Sequence, residues 1–158
     1  MYKIVAASEA DTERLGAQLA SHLFGGAFVA LFGELGAGKT AFVRGAARIF
    51  QVQDITSPTF TIMNVYESTP LQLIHVDAYR LQSAEELQET GFEEFLHQGA
   101  VVFMEWPQHV ASALPKERLD IQITGSGMQP RTFQFVPHGE AYVCLMQALI
   151  EEGGWSGC

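Results

Sequence analysis

Residues 27 to 40 decide the fold: Ala27-Phe28-Val29-Ala30-Leu31-Phe32, followed by Gly33-Glu34-Leu35-Gly36-Ala37-Gly38-Lys39-Thr40. Six apolar residues in a row, entered through Gly25-Gly26 and left through Gly33, read as a strand buried on both faces. The next eight residues match G-x-x-x-x-G-K-[ST], and a helical stretch from about Lys39 to Phe50 follows. The residue types suit one task. Glycines let the backbone turn tightly, so that successive N–H groups face inward on phosphate oxygens. The helix that starts there adds its positive dipole end. Lys39 brings an ammonium group to the β- and γ-phosphates, and the Thr40 hydroxyl is a magnesium ligand. Ordinary residue usage gives this pattern by chance in roughly one chain in two hundred of this length; the strand before it and the helix after it make a chance match rarer still. Gly33, Glu34, Leu35, Gly36, Ala37, Gly38, Lys39, Thr40 and Ala41 are therefore expected to bind a nucleoside triphosphate with Mg2+.

A phosphate loop of this kind needs an acid at the tip of a neighbouring strand to help hold magnesium. Two stretches offer one. Val101-Val102-Phe103-Met104-Glu105 is four apolar residues ending in a carboxylate, and Leu73-Ile74-His75-Val76-Asp77 ends in Asp77. A carboxylate at the end of a buried strand is costly unless something ligates it, so Glu105 and Asp77 are expected to serve the metal and, with Lys39, the chemistry. The common acid here is aspartate; the longer arm of Glu105 suits a water-mediated contact or the orientation of an attacking water. His75 reads as a packed or surface residue, with no zinc-like constellation around it. Arg80 is read either as a finger toward phosphate or as an ion-pair partner of Glu85 and Glu86. Trp106 either packs beside the site or belongs to the core. The hydroxyl-rich loop Thr56-Ser57-Pro58-Thr59-Phe60-Thr61 is read either as a switch-type segment or as an ordinary Ser-Pro turn.

The remaining chain supports an α/β reading. Residues 2–6 read as a strand. Ser8 and Asp11 form a capping box ahead of a helix striped by Leu15, Leu19 and Leu23, which Gly25-Gly26 is expected to end. Residues 61–66 and 71–76 read as strands joined by a turn at Ser68-Thr69-Pro70. Ser83 caps a short acidic helix. Residues 100–104 read as a buried strand, and Pro107 as the first residue of a helix through Leu114. Residues 118–124 and 131–136 form a hairpin across Gly125-Ser126-Gly127, and residues 138–152 a closing helix. Helices interleaved with apolar strands predict a three-layer sandwich like that of P-loop NTPases, with a mostly parallel central sheet and some antiparallel strands. One domain is expected over 1–152, with 153–158 as a flexible tail.

With 158 residues, 47% of them hydrophobic, the chain can build a real core. Its net charge is −9 with nine Lys and Arg in total, scattered and without a run. That argues against unaided binding to DNA or RNA. Met1-Tyr2-Lys3-Ile4-Val5 leads into Glu9, Asp11 and Glu13 without a signal-peptide core, and no apolar run approaches the ~20 residues of a membrane span. Cys144 reads as a small buried residue and Cys158 as part of the tail, so both read as reduced thiols in the cytoplasm. The Asn-Lys-x-Asp type of guanine signature is absent: Asn64 is the one asparagine, and Lys3, Lys39 and Lys116 lack the flanking residues. Adenine is the expected base. Six arginines without a cluster argue against the arginine-rich lid of a small kinase.

Taken in order, Gly33–Thr40, Ser57-Pro58-Thr59-Phe60, His75-Val76-Asp77-Ala78-Tyr79-Arg80 and Glu105-Trp106 resemble the TsaE (YjeE) family over nearly the whole chain. The resemblance implies a bacterial P-loop ATPase, slow and magnesium-dependent, needed for threonylcarbamoyladenosine in tRNA. It implies association with a TsaB–TsaD pair, whose tRNA contact makes the present chain's own contact indirect. It further implies that Lys39 and Thr40 hold phosphate and magnesium, that Glu105 is the second magnesium-side acid, and that Asp77 acts in metal binding or hydrolysis. Ser57 and Thr59 would belong to a switch-like loop, together with Arg80 and Trp106. Thr12 and a residue of the later hairpin would lie near the base. Two alternatives stay open: a nucleotide-gated binding module in which hydrolysis is incidental, and a small-molecule kinase.

Overall fold

Strand β2 (Phe28–Phe32) shows how the chain is layered. Side chains alternate across a strand. Phe28 and Ala30 accordingly enter one apolar cluster, while Val29 and Leu31 enter another on the opposite face. A computed structural model describes residues 1–68 and 71–153. Around β2 the order of elements is β1 (Tyr2–Ala6), α1 (Glu9–Ala20), β2, α2 (Lys39–Ile49), β3 (Met63–Tyr66), β4 (Leu73–Asp77), α3 (Ala84–Gln88), α4 (Phe92–His97), β5 (Val101–Glu105), a 3-10 segment (Pro107–Ala113), β6 (Arg118–Thr124), β7 (Arg131–His138) and α5 (Glu140–Gly153). The strands form one sheet in the order β1-β7-β6-β2-β5-β4-β3. The four central strands β6, β2, β5 and β4 run parallel, while β7, β1 and β3 are antiparallel additions toward the edges. The expected α/β sandwich with a parallel centre is thus present.

One face of the sheet carries α1, α2 and α5, packed around Leu15, Leu19, Phe42, Phe133, Leu145 and Leu149. The other carries α3, α4 and the 3-10 segment over Ile74, Val76, Phe92 and Met104. Helices α1 and α2 cross closely because position 45 is glycine: a Cβ there would lie 1.9 Å from the Glu13 carbonyl oxygen. Arg44 and Arg48 of α2 both donate to the Glu13 carboxylate. Helix α5 is anchored by the buried Tyr142 hydroxyl, which accepts the Phe28 N–H at 2.9 Å. Burial pushes that phenol's pKa up.

Several expectations need local correction. Helix α1 stops at Ala20 rather than at Gly25-Gly26, because Ser21 N–H turns back to the Ala17 and Leu19 carbonyls and tightens the last turn. The helix expected at Pro107 is a 3-10 segment broken at Val110, entered from a left-handed Trp106 at φ 57°. Helix α4 was not foreseen; it starts from Gly91 at φ 76°. His138 ends β7 instead of opening α5. Cys144 is exposed, since the buried stripe of α5 is Tyr142, Leu145, Met146 and Leu149 and position 144 falls off it. The expected turn at Ser68-Thr69-Pro70 and the expected tail fall mostly outside the described residues, at Thr69, Pro70 and 154–158. Among the described residues no helix is long and apolar enough to cross a membrane.

Candidate nucleotide site

The C-terminal ends of the parallel strands β2, β4 and β5 lie side by side, which is where ligands bind in open α/β sheets. From the end of β2 the chain runs through Gly33–Gly38 into α2. Gly38 caps that helix in the left-handed conformation, φ 102° and ψ 20°, which glycine adopts without the strain a side chain would impose. Along β4 and β5 the period of two puts Leu73, His75 and Asp77 on one face and Val101, Phe103 and Glu105 on that same face. Leu73, Val101 and Phe103 enter the cluster beneath α2, so the register Asp77↔Glu105 delivers both acids to the side where α2 begins. The backbone closes the corner: Ala78 N–H donates to the Glu105 carbonyl at 3.0 Å.

A cleft of about 680 Å³ results, within the usual size range of small-molecule sites. Its floor holds three buried charged residues, Lys39 at 5% exposure with Asp77 and Glu105 at 3% each. Thr40 Oγ1 donates to Glu105 Oε2 at 3.5 Å. Asp77 Oδ2 accepts from Thr59 Oγ1 at 3.1 Å and from Ser57 Oγ at 3.4 Å, while its Oδ1 accepts the Tyr79 N–H at 2.9 Å. Lys39 Nζ turns back on its own loop, donating to the Gly33 and Glu34 carbonyls and lying 4.1 Å from the centre of the Trp106 ring. Desolvation by burial lowers the pKa of Lys39, against the opposing pull of Glu105, Asp77 and Glu34.

The hydroxyl, two carboxylates and loop amides are hard oxygen donors and N–H groups, which suit magnesium and phosphate. Among the described residues no three His, Cys, Asp or Glu side chains gather as a self-sufficient metal cage. Beside Gly38, Thr12 also lines the cleft, and its Oγ1 is buried without a hydrogen-bond partner among the described residues. An orphaned hydroxyl in a cleft wall is a group that a bound ligand would satisfy.

A family model described as "Threonylcarbamoyl adenosine biosynthesis protein TsaE" matches residues 6–133. The chain belongs to the TsaE family. It is therefore a member of a family involved in tRNA threonylcarbamoyladenosine biosynthesis. The protein of that name from Bacillus subtilis (strain 168) is 35% identical over 140 residues, covering 88% of this chain and 87% of that one. The one from Treponema pallidum (strain Nichols) is 41% identical over 122 residues, covering 77% and 90%. The crystal structure of Bacillus subtilis YdiB superposes with a TM-score of 0.83 at 30% identity, over 97% of this chain and 98% of that one.

Within this TsaE-family chain, Leu35, Gly36, Ala37, Gly38, Thr40 and Ala41 line the cleft with Lys39, Asp77 and Glu105. Thr12, Ser57, Thr59 and Trp106 line it as well. Gly33 and Glu34 lie at its back, where their carbonyls hold the Lys39 ammonium. Arg80 stands apart: its guanidinium lies 4.4 Å from the centre of the exposed Phe60 ring and does not line the cleft. Among the described residues it makes no ion pair with Glu85 or Glu86. Trp106 lines the cleft, its ring tilted against those of Tyr79 and His109.

Arg131 was missed by number. From the start of β7 it donates Nε to the Ala37 carbonyl at 3.0 Å and a second nitrogen to the Gly36 and Gly127 carbonyls at 3.3 and 3.1 Å. It pins the β6–β7 turn onto the phosphate loop. The signal for it was topological: β6 pairs in parallel with β2, so the turn after β6 emerges beside the loop after β2. The sequence reads His75 as a packed or surface residue. It is wholly buried, and its Nε2 lies 2.6 Å from Glu105 Oε2.

Proposed function

We propose that the cleft binds ATP with magnesium and hydrolyses it slowly, and that the nucleotide state acts on a TsaB–TsaD-like complex in tRNA threonylcarbamoyladenosine synthesis in the cytoplasm. One observation carries this reading: Lys39 and Thr40 at the start of α2 share a single buried pocket with Glu105 and Asp77 from two other strands. The loop amides and Lys39 would hold the polyphosphate. Thr40 and Glu105 would hold the metal, with Asp77 beside them. Magnesium, when bound, supplies positive charge against that developing on the phosphate oxygens. Glu105 is the residue best placed to orient an attacking water, through the oxygen that takes no hydrogen bond among the described residues. Asp77 ties the Ser57–Thr59 loop to the end of β4, so a ligand that competes for this carboxylate would release or re-seat the loop.

That same latch favours a second reading, in which binding alone gates the partner and hydrolysis is incidental. The kinase reading has no comparable support, because the cationic side chains of the cleft are Lys39, Arg44 and Arg131 and, among the described residues, no arginine-rich lid lies over it. A reconstituted tRNA-modification assay with purified TsaB and TsaD separates the first two. If hydrolysis drives the cycle, Glu105→Gln binds ATP but supports a single round only. Repeated rounds with that variant would favour the gate, and unchanged ATP hydrolysis by it would remove Glu105 from the chemistry.

A further inference from the structure

His75 is the most deeply buried ionisable side chain near the cleft, at 0% exposure, yet it does not line the cleft and no step above uses it. Its two ring nitrogens have different surroundings. Nε2 lies 2.6 Å from Glu105 Oε2, whereas Nδ1 is buried with no hydrogen-bond partner. A carboxylate offers only acceptor oxygens, so Nε2 must carry the hydrogen. The orphaned Nδ1 is then a bare lone pair, and orphaned acceptors are tolerated better than orphaned N–H groups. Strand geometry holds the ring there: His75 is paired in register with Phe103, and its neighbours Ile74 and Val76 are locked into the opposite core.

We infer that His75 is the positioning residue for Glu105, its Nε2–H fixing the carboxylate so that one oxygen serves the protein and the other is left for the metal side of the cleft. Oε2 takes the hydrogen bonds from His75 and from Thr40 Oγ1 at 3.5 Å, and Oε1 takes none among the described residues. Outer partners of this kind orient metal ligands elsewhere and typically change metal affinity 10–100-fold when removed. His75 itself has no route to the metal, because its surface is sealed from the cleft. The inference rests on the reading of Glu105 as the magnesium-side acid.

Two measurements test it. Nitrogen-15 NMR of the ring in the wild-type protein reads the tautomer directly, without metal and without any variant. The expected pattern is a protonated Nε2 and a pyridine-like Nδ1; a protonated Nδ1 with bare Nε2 overturns the inference. The second compares His75→Phe with His75→Gln, whose amide can place an N–H near the Nε2 position. In His75→Phe the magnesium concentration for half-maximal ATP hydrolysis should rise about tenfold, with ADP affinity in EDTA unchanged. His75→Gln should recover most of the magnesium response. A normal magnesium response in His75→Phe, or a folded His75→Gln as impaired as His75→Phe, contradicts the assignment. Should both variants unfold, the wild-type tautomer decides. If Glu105→Gln hydrolyses ATP like the wild type, the magnesium-side reading fails instead, and the tautomer result shows whether the His75 contact survives without it.

Discussion

One wall of the cleft is made by consecutive residues from Leu35 to Ala41, which bring backbone amides, one ammonium and one hydroxyl. On the other wall Ser57, Thr59, Asp77, Glu105 and Trp106 arrive from three separate stretches and meet through side chains. The first wall is set by local backbone conformation and stands on the tight α1–α2 crossing at Gly45. The second is set by strand register, Asp77 opposite Glu105, and by hydrogen bonds that a ligand can replace. The difference suggests a division of labour: a stiff wall that grips phosphate, and an adjustable wall that holds metal, guides water and reports occupancy through the Ser57–Thr59 loop.

If the walls differ in this way, substitutions should separate binding from turnover. The largest effect belongs to Glu105→Gln, where steady-state hydrolysis should fall at least about 100-fold while ADP affinity without magnesium holds or improves. A parallel loss of both would merge the two walls into one. Next comes Lys39→Ala, which removes the buried ammonium proposed to meet phosphate and should cost nucleotide binding about 2–3 kcal/mol, read by calorimetry with and without magnesium.

Lys39 also sharpens the comparison through pH. Its pKa in the folded ligand-free protein is lowered, by burial first, from the ordinary lysine value of 10.5. Between that lowered value and 10.5 the unfolded chain binds more protons than the folded one, so stability should rise with pH across this window. Urea midpoints of the ligand-free protein should show that rise, and Lys39→Ala should lack it. If the Lys39 ammonium holds the nucleotide as proposed, affinity should weaken as pH climbs through the same window.

A smaller effect is expected at Arg131, which holds the Gly36 and Ala37 carbonyls and thereby the orientation of their peptides. Arg131→Ala should weaken ADP binding by about 1 kcal/mol, and Arg131→Lys should not restore it, because one ammonium cannot reproduce the planar fork. The smallest change belongs to Thr59→Ala, which deletes one of three hydrogen bonds to Asp77. It should leave ADP affinity within about twofold while speeding proteolytic cleavage in the 55–61 loop.

The same contrast explains how much was legible in the sequence. The strand into the phosphate loop, the loop itself and α2 are local, so periodicity, glycine placement and the motif located them closely. The Ser8 and Ser83 caps are local too, and each accepts the N–H three residues on. Asp77 and Glu105 could be nominated from where their strands end, but not paired, because pairing depends on the sheet order. Arg131 and His75 needed that order even more: one reaches its partners across 94 positions and the other across 30. Trp106 was ambiguous because a left-handed tryptophan has no propensity signal, and the turn it makes also converted the expected α-helix at Pro107 into 3-10. Cys144 was misread by composition alone; helical spacing against Leu145 and Leu149 puts it off the buried stripe.

The most direct test titrates ADP into wild type, Lys39→Ala and Glu105→Gln by calorimetry, each with magnesium and with EDTA. A stiff phosphate wall beside a metal wall predicts that Lys39→Ala loses affinity in both conditions, while Glu105→Gln loses only the increment that magnesium adds. Equal losses for the two variants in EDTA, or no measurable ADP binding by the wild type, would contradict it.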